Sequence, residues 1–308
     1  MGWPELALAG LRGIYLAASL LGFGILLFWI SVASPLLANG EAAAASTLGD
    51  RTWKVFRGSI IFAAIAAVVW LLTQAAYLAD ADTLATGAAA VWPVLTGTHF
   101  GRVLGLRVGL LILAMICLGD GRNRSRLVLA IIATGGAIVL QGWTAHAAAA
   151  EGSARAILLG AETLHLLAAG AWLGSLLALF LFARALPPDQ GARALLRFSP
   201  FGMVCVFVIA VTALVQGRLL IGGLSELIRT DYGRVAMLKL TLFLAMLLLA
   251  TLNRFHHTRV LSGSHKTGSR RRLQVSIGIE TGLGLIVILA AAVLADMQPA
   301  RTPGFHVM

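Results

Sequence analysis

Long apolar stretches alternate with short polar ones along almost the whole chain. A bilayer core of about 30 Å needs about 20 apolar residues at a rise of 1.5 Å each. Eight stretches meet that need, at residues 11–33, 58–79, 98–118, 127–147, 156–182, 198–216, 235–252 and 275–295. In lipid the backbone must satisfy its own hydrogen bonds, and barrel strands would be half as long and alternate in polarity, so these runs predict helices. The expected fold is an all-α polytopic membrane protein, a single bundle of eight transmembrane helices. The first run is longer than a signal-peptide core and is read as a retained helix.

Polar positions orient the bundle. The loops after runs 1, 3, 5 and 7 hold fifteen of the 24 Lys and Arg residues, from Arg51, Lys54 and Arg57 to Arg270, Arg271 and Arg272. The alternate loops and tails are poor in them. The positive-inside rule places the four basic loops in the cytoplasm and both termini outside it. Trp53, Trp92 and Trp143 fall at predicted interfaces. The linkers at 34–57 and 80–102 are too small to form a soluble domain, and no internal repeat shows in the linear pattern.

Composition agrees. Hydrophobic residues make up 59% and charged residues 12% of 308 positions, and mean hydropathy is +0.89. The net charge of +11 does not indicate nucleic acid, because the basic residues form no continuous face. Cys117 and Cys205 lie inside apolar runs without a CxxC motif, as packed thiols do.

Ionisable residues inside spans are costly and are functional candidates by default. Here they are Arg107, His146, Glu162, His165, Arg218, Lys239 and Glu280, with Asp296 at an edge. Most fall in the outer half. Glu162 and His165, spaced i, i+3, share a helix face, and His146 ends the preceding span. Imidazoles with a carboxylate suit a copper or zinc ion, and His99 in the adjacent outer loop is within reach. The linear spacing puts His146 and His165 at different depths, so one shared site and two successive sites both stay open. Glu162 could instead pair with Arg107, Lys239 and Arg234 could snorkel outward, and Glu280 could mark the inner half of a route. His256, His257 and His265 read as a solvated basic loop, and Met297, His306 and Met308 as a tail.

These residues resemble the CopD/PcoD copper-resistance membrane proteins. The cues are Thr98-His99-Phe100-Gly101-Arg102 with Arg107, then Thr144-Ala145-His146-Ala147, then Glu162-Thr163-Leu164-His165 running on to Trp172-Leu173-Gly174. Phe198-Ser199-Pro200, Tyr232-Gly233-Arg234 with Lys239, Asn253-Arg254 and Glu280 follow in order. The family usually has Gly where this chain has Ala145. The resemblance implies copper transport from periplasm to cytoplasm through the bacterial inner membrane, contributing to copper homeostasis and resistance. Copper would be cargo at His146, His165, Glu162 and His99, with Glu280, Lys239 and Arg107 along the route. It also implies a periplasmic copper-binding partner of the CopC type, expected as a separate protein. The chain reads as a transporter and not an enzyme. The alternative is a haem b membrane electron-transfer protein with His146 and His165 as axial ligands.

Overall fold

The computed structural model describes residues 3–37, 42–119, 123–144, 152–186, 188–252 and 266–301. Among these residues every regular element is helical. Eight helices are long and apolar enough to cross a membrane. They are α1 (Trp3–Phe28, continued by a π turn at Trp29–Ala33), α2 (Ala42–Leu78), α4 (His99–Leu118), α5 (Arg124–Val139), α6 (Gly152–Ala185), α7 (Pro188–Leu220), α9 (Asp231–Leu252) and α10 (Lys266–Asp296). Two short helices, α3 (Leu84–Gly97) and α8 (Leu224–Arg229), lie before α4 and α9.

Several helices outrun the apolar stretches that announce them. The first apolar helix runs over Pro4–Leu37, so Arg12 lies inside it and is only 6% exposed. Much of the 80–102 linker is α3, begun by a Thr83 cap whose side chain accepts from the Thr86 amide. Helix hydrogen bonding continues beyond the apolar edge, because Ala-rich and charged residues such as those of α2 are good helix formers.

Helix α1 is the centre of the bundle and packs on α2, α5, α6 and α10. Its closest neighbour is α6. A Cβ on Gly24 would stand 2.6 Å from the Gly174 Cα, and one on Gly174 would stand 2.7 Å from the Gly24 Cα. Ser175 Oγ donates to the Gly24 carbonyl at 3.1 Å. Small residues at this crossing let the two backbones touch, which is how helices associate where lipid supplies no hydrophobic drive. Farther along, Phe28 meets Phe182 edge-on at 5.1 Å.

The reciprocity of Gly24 and Gly174 is one sign of a repeat that the linear pattern hides. Leu8, Gly10, Leu16, Ala18 and Gly24 in α1 match Leu158, Gly160, Leu166, Ala168 and Gly174 in α6. Val69, Leu72, Gln74 and Leu78 in α2 match Val211, Leu214, Gln216 and Leu220 in α7. Thr98, Gly101, Arg102, Val103 and Leu106 in α4 match Thr230, Gly233, Arg234, Val235 and Leu238 in α9. The packing repeats as well: α1 on α2 and α4 on α5 in the first half correspond to α6 on α7 and α9 on α10 in the second. A residue touching its own equivalent is the signature of an isologous, two-fold contact. Parallel repeats of this kind are known among membrane transporters.

The repeated corners explain two of the sequence cues. Thr98 Oγ1 accepts from the Gly101 amide at 2.9 Å and donates to the Val94 carbonyl at 2.6 Å. Thr230 Oγ1 does the same with Gly233 at 3.0 Å and Glu226 at 2.6 Å. In each corner the short helix presses onto the glycine. A Cβ on Gly101 would lie 2.5 Å from the Leu95 Cα, and one on Gly233 would lie 2.5 Å from the Glu226 carbonyl oxygen. The Thr is the cap of the span, and the Gly is the only residue that fits beneath the preceding helix.

Candidate metal site

At the end of the bundle opposite the basic loops, a half-open vestibule of about 380 Å³ is lined by Arg12, Trp70, Gln74, Phe100, Thr144 and Asp296, among others. A smaller cavity of about 80 Å³ lies beyond it, lined by Glu162, His165, Gln216, Tyr232 and Lys239 together with Arg12 and Gln141. Arg12 borders both. Its guanidinium donates to Asp296 Oδ1 at 2.8 Å, tying α1 to α10. The two helices come this close at Gly13, where a Cβ would stand 3.0 Å from Ala292 and Leu289 side-chain atoms.

Glu162 and His165 do share one face of α6, with Leu158 and Leu166, and both line the inner cavity. The His165 ring is 7% exposed. Its Nδ1 lies 2.9 Å from Thr212 Oγ1. That hydroxyl has its own proton committed to the Val208 carbonyl at 2.6 Å, so it accepts and Nδ1 carries the hydrogen. Nε2 is left as the bare lone pair. This is the arrangement that fixes a metal-binding imidazole, one ring nitrogen anchored so that the other can ligate.

The other predicted residues fall out as follows. His99 is exposed, and its Nε2 donates to the Trp143 carbonyl at 3.1 Å. That bond ties it to the 3₁₀ turn Leu140–Thr144, which lines both spaces through Thr144 and Gln141. Glu162 packs against the same turn: a Cβ on Gly142 would lie 3.6 Å from the Glu162 Cγ. His146 lies outside the described residues, as do His256, His257, His265, His306 and Met308.

Lys239 lines the inner cavity and interacts with Glu162, so it does not snorkel outward; the Glu162 carboxylate draws the ammonium inward. Arg234 and Arg218 stay at the surface, on Asp231 at 3.2 Å and the Gly222 carbonyl at 2.7 Å. The expected Glu162–Arg107 pair does not form. Arg107 donates Nε to the Ala137 carbonyl at 3.0 Å and lies over the Tyr15 ring at 4.5 Å. Glu280 is buried, at 1% exposure, but stands about 16 Å along α10 from Ala291 at the cavity wall, at 1.5 Å per residue.

Sequence reasoning missed Arg12, Tyr15, Thr212 and Gln216. Arg12 stands at the edge of the first apolar run, and a lone Thr or Gln in such a run looks like any packing residue. Their signal was the repeat: Arg12 and Tyr15 occupy the positions of Glu162 and His165, Trp70 that of Thr212, Gln74 that of Gln216, and Arg107 that of Lys239.

Among the described residues no three His, Cys, Asp or Glu side chains cluster as a metal cage. One imidazole nitrogen beside one carboxylate is a sparse donor set, suited to an ion that is handed on. The haem alternative does not fit. Small-molecule pockets begin at about 300 Å³, well above the space beside His165. Cys117 and Cys205 are both free thiols.

Comparison with known proteins identifies the family. Residues 3–156 match the family described as copper resistance protein D-like, N-terminal domain, and residues 192–294 match the family described as copper resistance protein D. Copper resistance protein D of Pseudomonas syringae pv. tomato is 27% identical over 227 residues, covering 68% of this chain and 72% of that protein. Copper transport protein CutJ of Bacillus subtilis is 30% identical over 179 residues, covering 56% of this chain and 31% of that longer protein. Inner membrane protein YebZ of Escherichia coli is 27% identical over 216 residues, covering 68% of this chain and 72% of that protein. No solved structure matches. The capped Thr-x-aromatic-Gly corners, the His165 face of α6 and both family matches lead to one conclusion: this chain belongs to the copper resistance protein D family, multi-pass membrane proteins with a copper-related function.

Proposed function

We propose that this protein carries copper across the bacterial inner membrane from periplasm to cytoplasm, as a transporter and not an enzyme. Both termini and the vestibule then face the periplasm, and the basic loops face the cytoplasm. Copper is taken up by His99 and His146, passes Arg12 and Asp296, and binds His165 Nε2 with Glu162 alongside. Glu280 is the buried acid on the way onward. A separate periplasmic copper-binding protein of the CopC type delivers the ion.

The observation that carries this reading is the His165–Thr212 bond at 2.9 Å, which engages Nδ1 and leaves Nε2 for an ion, on a residue that lines one cavity with Glu162. The two-donor site suits transit, since an ion held by a full cage would not leave. The names of the Pseudomonas and Bacillus relatives, copper resistance and copper transport, point the same way. The test is copper uptake into proteoliposomes by the wild type, His146→Ala and His165→Ala. We expect His165→Ala to lose at least about 90% of the initial rate, equivalent to about 1.4 kcal/mol. Unchanged uptake in both variants would overturn the ligand assignment.

A further inference from the structure

At the positions equivalent to those that line the copper cavity, the first half carries groups of the opposite charge. Where α6 offers Glu162 and His165, α1 offers Arg12 and Tyr15, and Arg107 stands in the place of Lys239. The groups are together in space. Arg12 and Tyr15 are i, i+3 on one face of α1, Arg107 lies over the Tyr15 ring, and the two guanidinium groups are close enough to repel each other. Tyr15 also meets Trp70 at 6.1 Å, as His165 meets Thr212.

All three groups are buried: Arg12 at 6%, Tyr15 at 0% and Arg107 at 1% exposure. All three have an unused donor. Arg12 Nη2 and Arg107 Nη2 are enclosed without a hydrogen-bond partner, and the Tyr15 hydroxyl, which faces the Arg107 guanidinium, donates its own hydrogen to no group. Among the described residues Arg107 has no carboxylate partner, and Asp296 already holds Arg12 Nη1. Glu5 also lines the vestibule, but it lies at the exposed outer rim. A buried cation without a counter-charge costs several kcal/mol, as does each unpaired buried donor. The approach runs through the vestibule, which Arg12 lines.

We propose that this first-half cluster of buried donors binds a small inorganic anion of the chloride class, held by Arg12 Nη2, Arg107 Nη2 and the Tyr15 hydroxyl. The duplicated fold then carries a cation site in one half and an anion site in the other. The anion balances the fixed positive charge that an entering copper ion meets beside Arg12. The argument does not depend on copper as cargo, and neither does its test.

The test is thermal unfolding of the full-length protein in detergent, with chloride replaced by gluconate at constant ionic strength. A ligand that binds only the folded state raises Tm with concentration until the site saturates. We expect that behaviour from the wild type in chloride and bromide and not in gluconate. Tyr15→Phe, which keeps the ring beneath Arg107 and removes one donor, should need at least about tenfold more chloride for the same rise. Chloride-35 line broadening by the wild type, relieved by added bromide, should report the same site without any variant. Equal Tm in chloride and gluconate would overturn the proposal, and so would a Tyr15→Phe response identical to that of the wild type. Line broadening that bromide leaves unchanged would count equally against it.

Discussion

The two halves of this protein present the same pocket twice, and the copies differ in what they can bind. Their frames are alike: a central helix, a neighbouring helix ending in Gln74 or Gln216, and a Thr-x-aromatic-Gly corner that sets Phe100 or Tyr232 at the wall. The linings differ in sign. In the second half Thr212 orients His165, Glu162 offsets Lys239, and both His165 and Glu162 line the cavity. In the first half Trp70 merely packs on Tyr15, Arg12 takes the place of the acid, and hydrogen-bond donors are left over. Repetition fixes where a pocket forms. The few residues projecting into it fix the chemistry, which is why the fold alone does not specify the ligand.

The comparison breaks most severely at the contact that relates the halves. Gly24→Leu would drive a side chain into the backbone of α6 at Gly170 and Gly174. Overpacking costs about 1–3 kcal/mol in forgiving sites, and a backbone wall cannot yield as a side chain can. We expect about 3 kcal/mol of destabilisation, read as a large fall in Tm of the detergent-purified protein, with copper uptake lost alongside. A near-native melt would show that the two central helices do not need their close approach.

A smaller change separates the pockets. Thr212→Val keeps the shape of the side chain and removes the acceptor for His165 Nδ1. Outer hydrogen bonds to ligating histidines are worth about 10–100-fold in metal affinity, so copper affinity, measured by competition with a chelator, should fall within that range while the melt stays near that of the wild type. Trp70→Phe at the equivalent position should shift it by less than about twofold. Equal losses in the two variants would mean that the pockets act as one site.

The smallest effect is expected at His99. It is exposed and bonded to the Trp143 carbonyl. Surface changes usually stay within about 0.5 kcal/mol, so His99→Ala should lower the initial rate of copper uptake by about twofold. A loss as large as that of His165→Ala would move the first binding step out to the vestibule mouth.

Much of the candidate site was legible before any fold was known. Glu162 and His165 stand out because a carboxylate and an imidazole are expensive in lipid, and their spacing puts them on one face whatever the helix packs against. The repeat was not legible as a period. Loops of unequal length separate the equivalent spans, so matching residues fall at shifting separations, and apolar spans resemble each other by chance. It became visible where Gly24 met Gly174 and where Thr98 and Thr230 capped the same kind of corner. Glu162 likewise has two basic candidates in the sequence, Arg107 and Lys239, and linear order does not rank them. Packing does, by placing Arg107 on Tyr15 and Lys239 in the cavity.

The sequence by itself determined eight apolar helices, the clustering of basic residues in alternate loops and the chemical identity of the buried ionisable groups. Those follow from chain-local physics: the hydrophobic thickness to be spanned, the need for internally bonded backbone, and the cost of charge in lipid. Only the tertiary structure decided which of those groups meet. It set Arg12 on Asp296 and Thr212 under His165, and turned two halves of the chain into two versions of one frame. Contacts between distant residues depend on which small residues let helices approach and at what register, and no local pattern carries that information.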